Sequence, residues 1–163
     1  MNKKMFWLGF PSGIMMFLGL SAIIYFIAFK APGLELSNMQ LKDLEGNVIS
    51  IENYTEKPMV VNYWATWCAP CIEEFPHFEE VKQELNDQIE FVMISDESQE
   101  KISSFASNKS YTFTFLRSKK NLSAYNIYSR PTTYFYNKEG KLVTSQIGGL
   151  TKKRLKELIK QIQ

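Results

Sequence analysis

The sequence predicts an α/β domain in which helices flank a central mixed β-sheet, preceded by an N-terminal β-hairpin and a single transmembrane helix. Three observations lead to this prediction. Strand-like and helix-like patterns alternate along residues 36–163, two cysteines stand as Cys-x-x-Cys directly after a buried strand, and residues 5–29 contain no charged side chain. We therefore divide the chain into an N-terminal anchor (residues 1–30), a linker (31–35) and the α/β domain (36–163).

The N-terminal segment has the length and polarity of a membrane anchor. The uncharged run of 25 residues from Met5 to Phe29 would form a helix of about 37 Å, enough to cross a hydrocarbon core of about 30 Å. Lys3 and Lys4 precede the run, so the positive-inside rule places the N-terminus in the cytoplasm and the domain outside it. A cleaved signal peptide is the alternative, although the run is long for one and no small-residue cleavage site follows it.

The charge balance excludes one class of partner. Three of the 19 Lys and Arg residues lie within the first 30 positions, which leaves 16 cations against 17 Asp and Glu residues in the rest of the chain. Nucleic-acid binding requires a basic surface, and this composition does not supply one. We expect no nucleic-acid partner and a monomeric protein.

The first half of the domain contains short strands and a cysteine-bearing helix. Alternation over Met39–Ile51 around a Glu-Gly-Asn turn predicts a β-hairpin. The apolar run Met59–Trp64 predicts a buried strand. A helix that begins at the cysteines would place four apolar residues on one face, namely Phe75, Phe78, Val81 and Leu85.

The second half of the domain reads as strand, helix, strand, short helix, hairpin and helix. The predicted ranges are Ile89–Ser95, a helix capped by Asp96-Glu97-Ser98 that runs to about Asn108, Tyr111–Leu116, Leu122–Tyr125, the paired strands Thr132–Tyr136 and Leu142–Ile147, and a helix from Thr151 onward. A turn that ends in glycine joins the paired strands. Apolar residues at i, i+3, i+4 and i+7 support the last helix.

The two cysteines indicate redox chemistry. Cys68 and Cys71 are the only cysteines in the chain, and a disulfide that closes so small a loop stabilises a fold by only about 2 kcal/mol. At a helix N-terminus Cys68 would be an exposed thiolate nucleophile, because unpaired N–H groups and the helix dipole favour negative charge. Cys71, one turn inside, would resolve the mixed disulfide that Cys68 forms with a substrate. We expect no cofactor.

A metal site is the alternative use of such a cysteine pair. Structural zinc needs four ligands, and the chain offers only the two cysteines and His77, so we expect no resident metal. A copper-handling pair stays open. We interpret His77 as a surface residue of the cysteine helix, and Glu73, Glu79 and Glu80 as surface charges of the same helix.

These motifs resemble the thioredoxin superfamily, and more narrowly its membrane-anchored, extracytoplasmic thiol–disulfide oxidoreductases of the TlpA/ResA type. The resemblance covers about residues 36–163. It rests on Trp67-Cys68-Ala69-Pro70-Cys71 after a buried strand, Pro76 in the following helix, Arg130-Pro131-Thr132-Thr133 before a strand, and Ile147–Thr151 before the last helix. It implies a thioredoxin-like fold in which Pro131 is cis and faces the cysteines, and in which the backbone beside Pro131 pairs with the substrate chain. Trp67 would shield the disulfide and offer the substrate an apolar surface, and Thr132 would either contact the substrate or serve only as a strand residue.

The resemblance also implies an activity and a location. It implies an enzyme tethered to a bacterial cell membrane that exchanges disulfides with protein substrates outside the cytosol, foremost as a reductase. The common role in the family is to keep the cysteines of apocytochrome c reduced during cytochrome c maturation, with electrons from a membrane thiol donor. An oxidant of secreted proteins and a thioredoxin-like copper-binding assembly factor are the alternatives.

Two positions separate this chain from thioredoxin itself. Where thioredoxins carry a buried Asp, this chain has Asn62, and proteins of the TlpA/ResA type often combine such an Asn with a Glu after the motif, here Glu74. Glu74 would tune the thiols or exchange a proton with Cys71, or else is a solvated helix glutamate. Arg130 stands where the superfamily commonly has an uncharged residue. It would stabilise the Cys68 thiolate and make the disulfide more oxidising, or would point to solvent and recognise an acidic substrate.

Overall fold

The computed structural model describes Gly19, Ser21, residues 38–54 and residues 56–163. The predicted membrane anchor and the linker at 31–35 lie outside the described residues, apart from Gly19 and Ser21. Within the part of the chain that is described, no helix combines the length and the apolar character that crossing a bilayer requires.

A mixed sheet of seven strands forms the centre of residues 38–163. The strands are β1 (Leu41–Lys42), β2 (Val48–Ile49), β3 (Met59–Tyr63), β4 (Glu90–Ser95), β5 (Thr114–Ser118), β6 (Thr132–Tyr136) and β7 (Leu142–Ile147). Their order in the sheet is β2-β1-β5-β4-β3-β6-β7. β3, β4 and β5 are parallel, whereas β6 is antiparallel to β3 and to β7, and β1 is antiparallel to β5 and to β2. The hairpin predicted within Met39–Ile51 is thus confirmed and extends the sheet.

The helices cover the sheet unequally. In the described residues they are α1 (Ala69–Glu84), α2 (Gln99–Ser107), α3 (Lys152–Ile159) and the 3-10 helices Ile51–Tyr54 and Leu122–Tyr125. The three α-helices share one buried cluster with one face of the strands, and the 3-10 helices belong to the cluster on the other face. The β3-α1-β4 and β4-α2-β5 crossovers step in the same direction along the sheet, so right-handed connections place both helices on the same face.

Aromatic side chains pack between α1 and the sheet. The Phe75 ring is fully buried and lies 5.2 Å from the Trp64 ring and 5.6 Å from the Phe113 ring, measured between ring centroids. The Trp64 ring also contacts Phe105 on α2 at 4.7 Å. Each such pair contributes about 0.5–1.5 kcal/mol beyond its buried area. This packing fixes the first turns of α1, where the cysteines lie.

The structure corrects one strand and one surface charge. The strand predicted at Tyr111–Leu116 begins later, at Thr114, because pairing with β4 starts at Val92 opposite Thr114 and pairing with β1 extends β5 to Ser118. Glu79 is buried rather than a surface charge. Its carboxylate accepts hydrogen bonds from the backbone N–H and the hydroxyl of Thr112, at 2.8 and 2.9 Å, which ties α1 to the segment before β5.

Candidate active site

The cysteines lie at the N-terminus of α1, a few residues beyond the end of β3. Cys68 is the N-cap residue, with an extended backbone (φ −87°, ψ 91°), and Cys71 lies in the first turn. The two form a disulfide with a Cα–Cα distance of 5.3 Å. Pro70 occupies a first-turn position, where no backbone N–H is needed. The N-terminal end of the dipole of this helix favours negative charge at Cys68.

Cys68 is less exposed than its role as nucleophile suggested. It is 4% exposed and Cys71 is fully buried. Both belong to the buried cluster that contains Trp64, Phe75 and Leu150, so the prediction of an exposed Cys68 is wrong in degree. Cys68 is nevertheless the cysteine of the pair that retains accessible surface, so a substrate reaches it first.

Pro131 follows a cis peptide bond, as the resemblance implied. β6 begins at the next residue, and Thr132 pairs with Tyr63 at the end of β3. The register therefore brings Pro131 to the end of β3 at which the strand stops and the cysteine segment begins. The Gly148 N–H donates to the Pro131 carbonyl at 2.9 Å. Gly148 has φ +89°, a conformation that favours glycine.

The Thr132 side chain faces the interior. The residue is buried, and its hydroxyl donates to the Ser129 carbonyl at 2.8 Å. This environment fits a strand residue. The structure does not bring the Thr132 hydroxyl to the surface beside the cysteines.

Glu74 is buried on α1, one turn beyond Cys71. The residue is 3% exposed; its Oε1 accepts from Asn62 Nδ2 and its Oε2 from the Leu150 N–H, both at 2.8 Å. The alternative of a solvated helix glutamate is therefore wrong. Burial raises the pKa of Glu74 to about 7, although both hydrogen bonds act to lower it. Near neutral pH this carboxyl can hold or release a proton three residues from the resolving cysteine.

Asn62 holds the Glu74 carboxyl from the sheet. Asn62 and Thr133 are partners in the β3–β6 register, and Asn62 Nδ2 also donates to Thr133 Oγ1 at 2.9 Å. Asn62 Oδ1 is buried and has no hydrogen-bond partner among the described residues. The sequence pointed to Asn62 and Glu74 but not to Thr133 or the Leu150 N–H. The antiparallel register of β3 and β6 is the signal that would have identified Thr133.

A small pocket borders Glu74. It has a volume of about 210 Å³ and is lined by Pro70, Glu73, Glu74, His77, Gly149, Leu150 and Thr151. His77, expected on the surface of the helix, is half-buried in this wall. The pocket gives the Glu74 carboxyl a short path to solvent and so to protons.

Arg130 is paired rather than free. Its Nη2 donates to both carboxylate oxygens of Asp96 at 2.7 Å, and the two side chains are 15% and 13% exposed. The Arg130 Cζ lies 5.5 Å from the centroid of the Trp67 ring, and Trp67 itself is 67% exposed. The guanidinium therefore neither points to solvent nor carries an unbalanced charge. Sequence reasoning missed Asp96, which it interpreted only as part of a helix cap.

The described residues bring no further metal ligands together with the two cysteines. Among residues 38–54 and 56–163, no group of three or more His, Cys, Asp and Glu side chains is gathered so that it could hold a metal ion.

Comparison with known proteins agrees with this geometry. The model of the AhpC/TSA family matches residues 30–145. The chain belongs to the AhpC/TSA family. It is 32% identical over 130 residues to thioredoxin-like protein YneN of Bacillus subtilis (strain 168), covering 77% of this chain and 76% of that protein. It is 29% identical over 171 residues to thiol-disulfide oxidoreductase ResA of Halalkalibacterium halodurans, covering 99% and 97%.

Solved structures show the same fold. StoA from Bacillus subtilis superposes with a TM-score of 0.59 at 28% identity, covering 73% of this chain and 93% of that one. A putative thiol:disulfide interchange protein DsbE from Chlorobium tepidum gives a TM-score of 0.68 at 19% identity, covering 77% and 92%. With its Cys68–Cys71 disulfide, this family member is a thiol–disulfide oxidoreductase with a thioredoxin-like fold.

Proposed function

We propose that this oxidoreductase is a membrane-tethered reductase of protein disulfides outside the cytosol, with apocytochrome c as its substrate. The observation that carries the proposal is the buried Glu74 carboxyl next to the resolving Cys71. It can take up the proton that Cys71 must lose when it attacks a mixed disulfide.

The reductive cycle consumes two thiols and forms one disulfide. The Cys68 thiolate attacks a substrate disulfide, an enzyme–substrate disulfide forms, and the first substrate thiolate leaves. Cys71 passes its proton to Glu74 and attacks the Cys68 sulfur, which releases the second substrate thiolate and closes the Cys68–Cys71 disulfide. A membrane thiol donor then returns two electrons by the same exchange chemistry. Glu74 releases its proton to water through the adjoining pocket.

The pairing of Arg130 supports the reductive direction. An unpaired guanidinium beside Cys68 would stabilise its thiolate, and a stabilised thiolate makes a disulfide more oxidising. Asp96 balances that charge at 2.7 Å. The helix N-terminus then remains as the main stabiliser of the thiolate, which agrees with a reductase rather than a strong oxidant.

Exposed apolar side chains support a polypeptide substrate. Trp67 precedes the nucleophile and Ile147 pairs with Thr132 beside the cis proline; each is 67% exposed. They belong to the two segments that border the cysteines. An extended chain with a Cys-x-x-Cys-His haem-attachment motif could lay its apolar residues on them while its disulfide meets Cys68.

The N-terminal sequence supports the proposed location. The uncharged run Met5–Phe29 with Lys3 and Lys4 before it supports a single-pass anchor in the lipid bilayer, an N-terminus in the cytoplasm and a catalytic domain outside it. A disulfide-forming pair is also compatible with an oxidising compartment.

Peptide exchange tests the direction of electron flow. Full-length protein in detergent is reduced and freed of reductant, then mixed with an equimolar oxidised Cys-x-x-Cys-His peptide, and peptide thiols are counted by mass spectrometry. We expect near-complete reduction by the wild type, none by Cys68→Ser, and arrest at a one-to-one mixed disulfide with Cys71→Ser. Net oxidation of the reduced peptide by the oxidised enzyme would contradict the proposal.

Proton transfer and anchoring need separate tests. Glu74→Gln is expected to slow release of the second peptide thiol and to change the titration of the cysteines, whereas Glu73→Gln, on the exposed side of the same turn, leaves both as in the wild type. Unchanged rates and titration curves with Glu74→Gln would exclude the proton role.

For the anchor, we expect the full-length protein to resist alkaline extraction and its domain to be digested by protease added to intact spheroplasts. Protection of the domain would contradict the proposed orientation.

A further inference from the structure

We propose that Asp96 is a positioning residue of the redox reaction: its carboxylate holds the Arg130 guanidinium against Trp67 and balances its charge beside Cys68. The proposal builds on the thiol–disulfide exchange activity and is independent of the direction of electron flow. It assigns a role to the loop between β4 and α2, which supplies no residue to the exchange reaction itself.

The Asp96 carboxylate is fixed from two sides. Both of its oxygens accept from Arg130 Nη2 at 2.7 Å, and Oδ2 also accepts from the Leu122 N–H at 2.9 Å. Leu122 begins a 3-10 helix, so this contact anchors the acid to the backbone. Asp96 thereby joins the β4–α2 loop to the loop of the cis proline.

Arg130 connects this ion pair to the residue that precedes the nucleophile. It directly precedes Pro131, and its guanidinium lies 5.5 Å from the Trp67 ring centroid, while Trp67 directly precedes Cys68. The attraction between the guanidinium and the ring contributes about 0.5–1 kcal/mol at an exposed site. The guanidinium of Arg130 thus lies against the residue that precedes Cys68, and Arg130 itself precedes the cis proline.

Stability alone is a weak reason for this arrangement. The Arg130 Nε is buried and has no hydrogen-bond partner among the described residues, so the desolvated guanidinium is incompletely satisfied. Partly buried ion pairs with unsatisfied groups contribute little net stability compared with apolar side chains of the same size. Balancing a positive charge close to the reactive cysteine would give the Asp96–Arg130 pair a function beyond packing.

Other charged groups in this region have partners of their own. The Glu97 carboxylate accepts from the N–H and the hydroxyl of Thr66 and lies 3.6 Å from Lys101 on α2. The Arg117 Nε on β5 donates to the Glu97 carbonyl at 3.0 Å. On α1, Glu74 is bound by Asn62 and Leu150. Because these groups keep their own partners, we expect their charges to stay the same when Asp96 or Arg130 is substituted.

Charge balance predicts effects of opposite sign. Loss of the Asp96 carboxylate leaves a cation beside Cys68, which favours the thiolate, lowers the pKa of Cys68 and stabilises the reduced protein. Loss of the Arg130 guanidinium leaves an anion, which raises the pKa of Cys68. A role limited to holding the loops in place would move both variants in the same direction, because either change breaks the same contact.

The test compares Asp96→Asn, Arg130→Gln and the double variant in full-length protein in detergent. The pKa of Cys68 is measured from the pH dependence of its alkylation rate, and the midpoint potential is measured against glutathione at pH 7 and pH 9. Asp87→Asn is the matched control, because Asp87 pairs with Lys82 beyond the far end of α1. Asp96→Glu keeps the negative charge, so it separates the effect of losing that charge from any other effect of substitution at this position.

We expect Asp96→Asn to lower the pKa of Cys68 by about one unit and to favour reduction about tenfold at pH 9, which equals about 30 mV for this two-electron couple. The difference shrinks at pH 7, where less thiolate is present. Arg130→Gln shifts both quantities in the opposite direction, and the double variant, Asp96→Glu and Asp87→Asn stay near the wild type. Shifts of the same sign in the two single variants, or no shift with Asp96→Asn, would overturn the proposal.

Discussion

Glu74→Gln should remove a pH dependence from the stability of the oxidised domain. Burial raises the pKa of Glu74 from an ordinary value of 4.5 to about 7. A carboxyl whose pKa is raised by folding binds its proton more tightly in the native state than in the unfolded state. Its contribution to stability is complete below the unfolded pKa and is lost as the pH rises through the folded pKa, between about 4.5 and about 7.

The size of this effect follows from the shift. The difference of about 2.5 pKa units, at about 1.36 kcal/mol per unit, corresponds to a loss of about 3 kcal/mol of unfolding free energy above pH 7 relative to pH 4. The amide side chain of the Glu74→Gln variant does not ionise. It could still accept a hydrogen bond from Asn62 or Leu150 through its carbonyl oxygen, so the variant resembles the protonated wild type at every pH.

Urea denaturation of a soluble form without residues 1–30 measures the effect. Unfolding free energies of the wild type and of Glu74→Gln are compared at half-unit steps from pH 4 to pH 8.5, with the disulfide intact. The difference between the two curves should grow by about 3 kcal/mol across the window. Glu73→Gln removes an exposed carboxylate from the same turn and should follow the wild type. Parallel curves for the wild type and Glu74→Gln would refute the reasoning.

Three further changes test the architecture around the site. Trp67→Ala should lower kcat/KM for a protein disulfide about tenfold and leave the reaction with dithiothreitol unchanged; equal losses with both substrates would contradict a docking role. Gly148→Ala should cost about 1–2 kcal/mol of unfolding free energy, because φ is +89° there and the added Cβ meets no atom within 4 Å; an unchanged urea midpoint would contradict this. Phe75→Ala should cost about 3–5 kcal/mol, measured in the same way, and a cost below about 1 kcal/mol would mean that the aromatic cluster does not fix α1.

Elements with strong local signals could be predicted from the sequence. The bounds of β6 and β7 match the prediction because a turn at Gly140, with φ +70°, sets their pairing, and α3 begins after Thr151, whose hydroxyl accepts from the Arg154 N–H. The start of β5 could not be predicted in this way. It depends on where β4 and β1 lie, and this is a property of the whole sheet.

In the site, too, residues in local motifs could be predicted and residues from distant segments could not. The cysteines and Pro131 belong to short motifs that can be recognised in the sequence. The groups that bind the charged side chains of Arg130 and Glu74 come from distant segments. Asp96 reaches Arg130 across 34 positions, and Leu150 reaches Glu74 across 76. The burial of Glu74 had a signal in the sequence: it precedes Phe78 by four residues and therefore lies on the apolar face of α1.

The midpoint potential of the Cys68–Cys71 pair tests the central claim most directly. It is measured in the soluble form by equilibration with glutathione or dithiothreitol buffers and quantification of free thiols. A reductase whose Arg130 charge is balanced by Asp96 should have a potential near or below about −230 mV. A value near about −120 mV would mark an oxidant of secreted proteins and contradict the account.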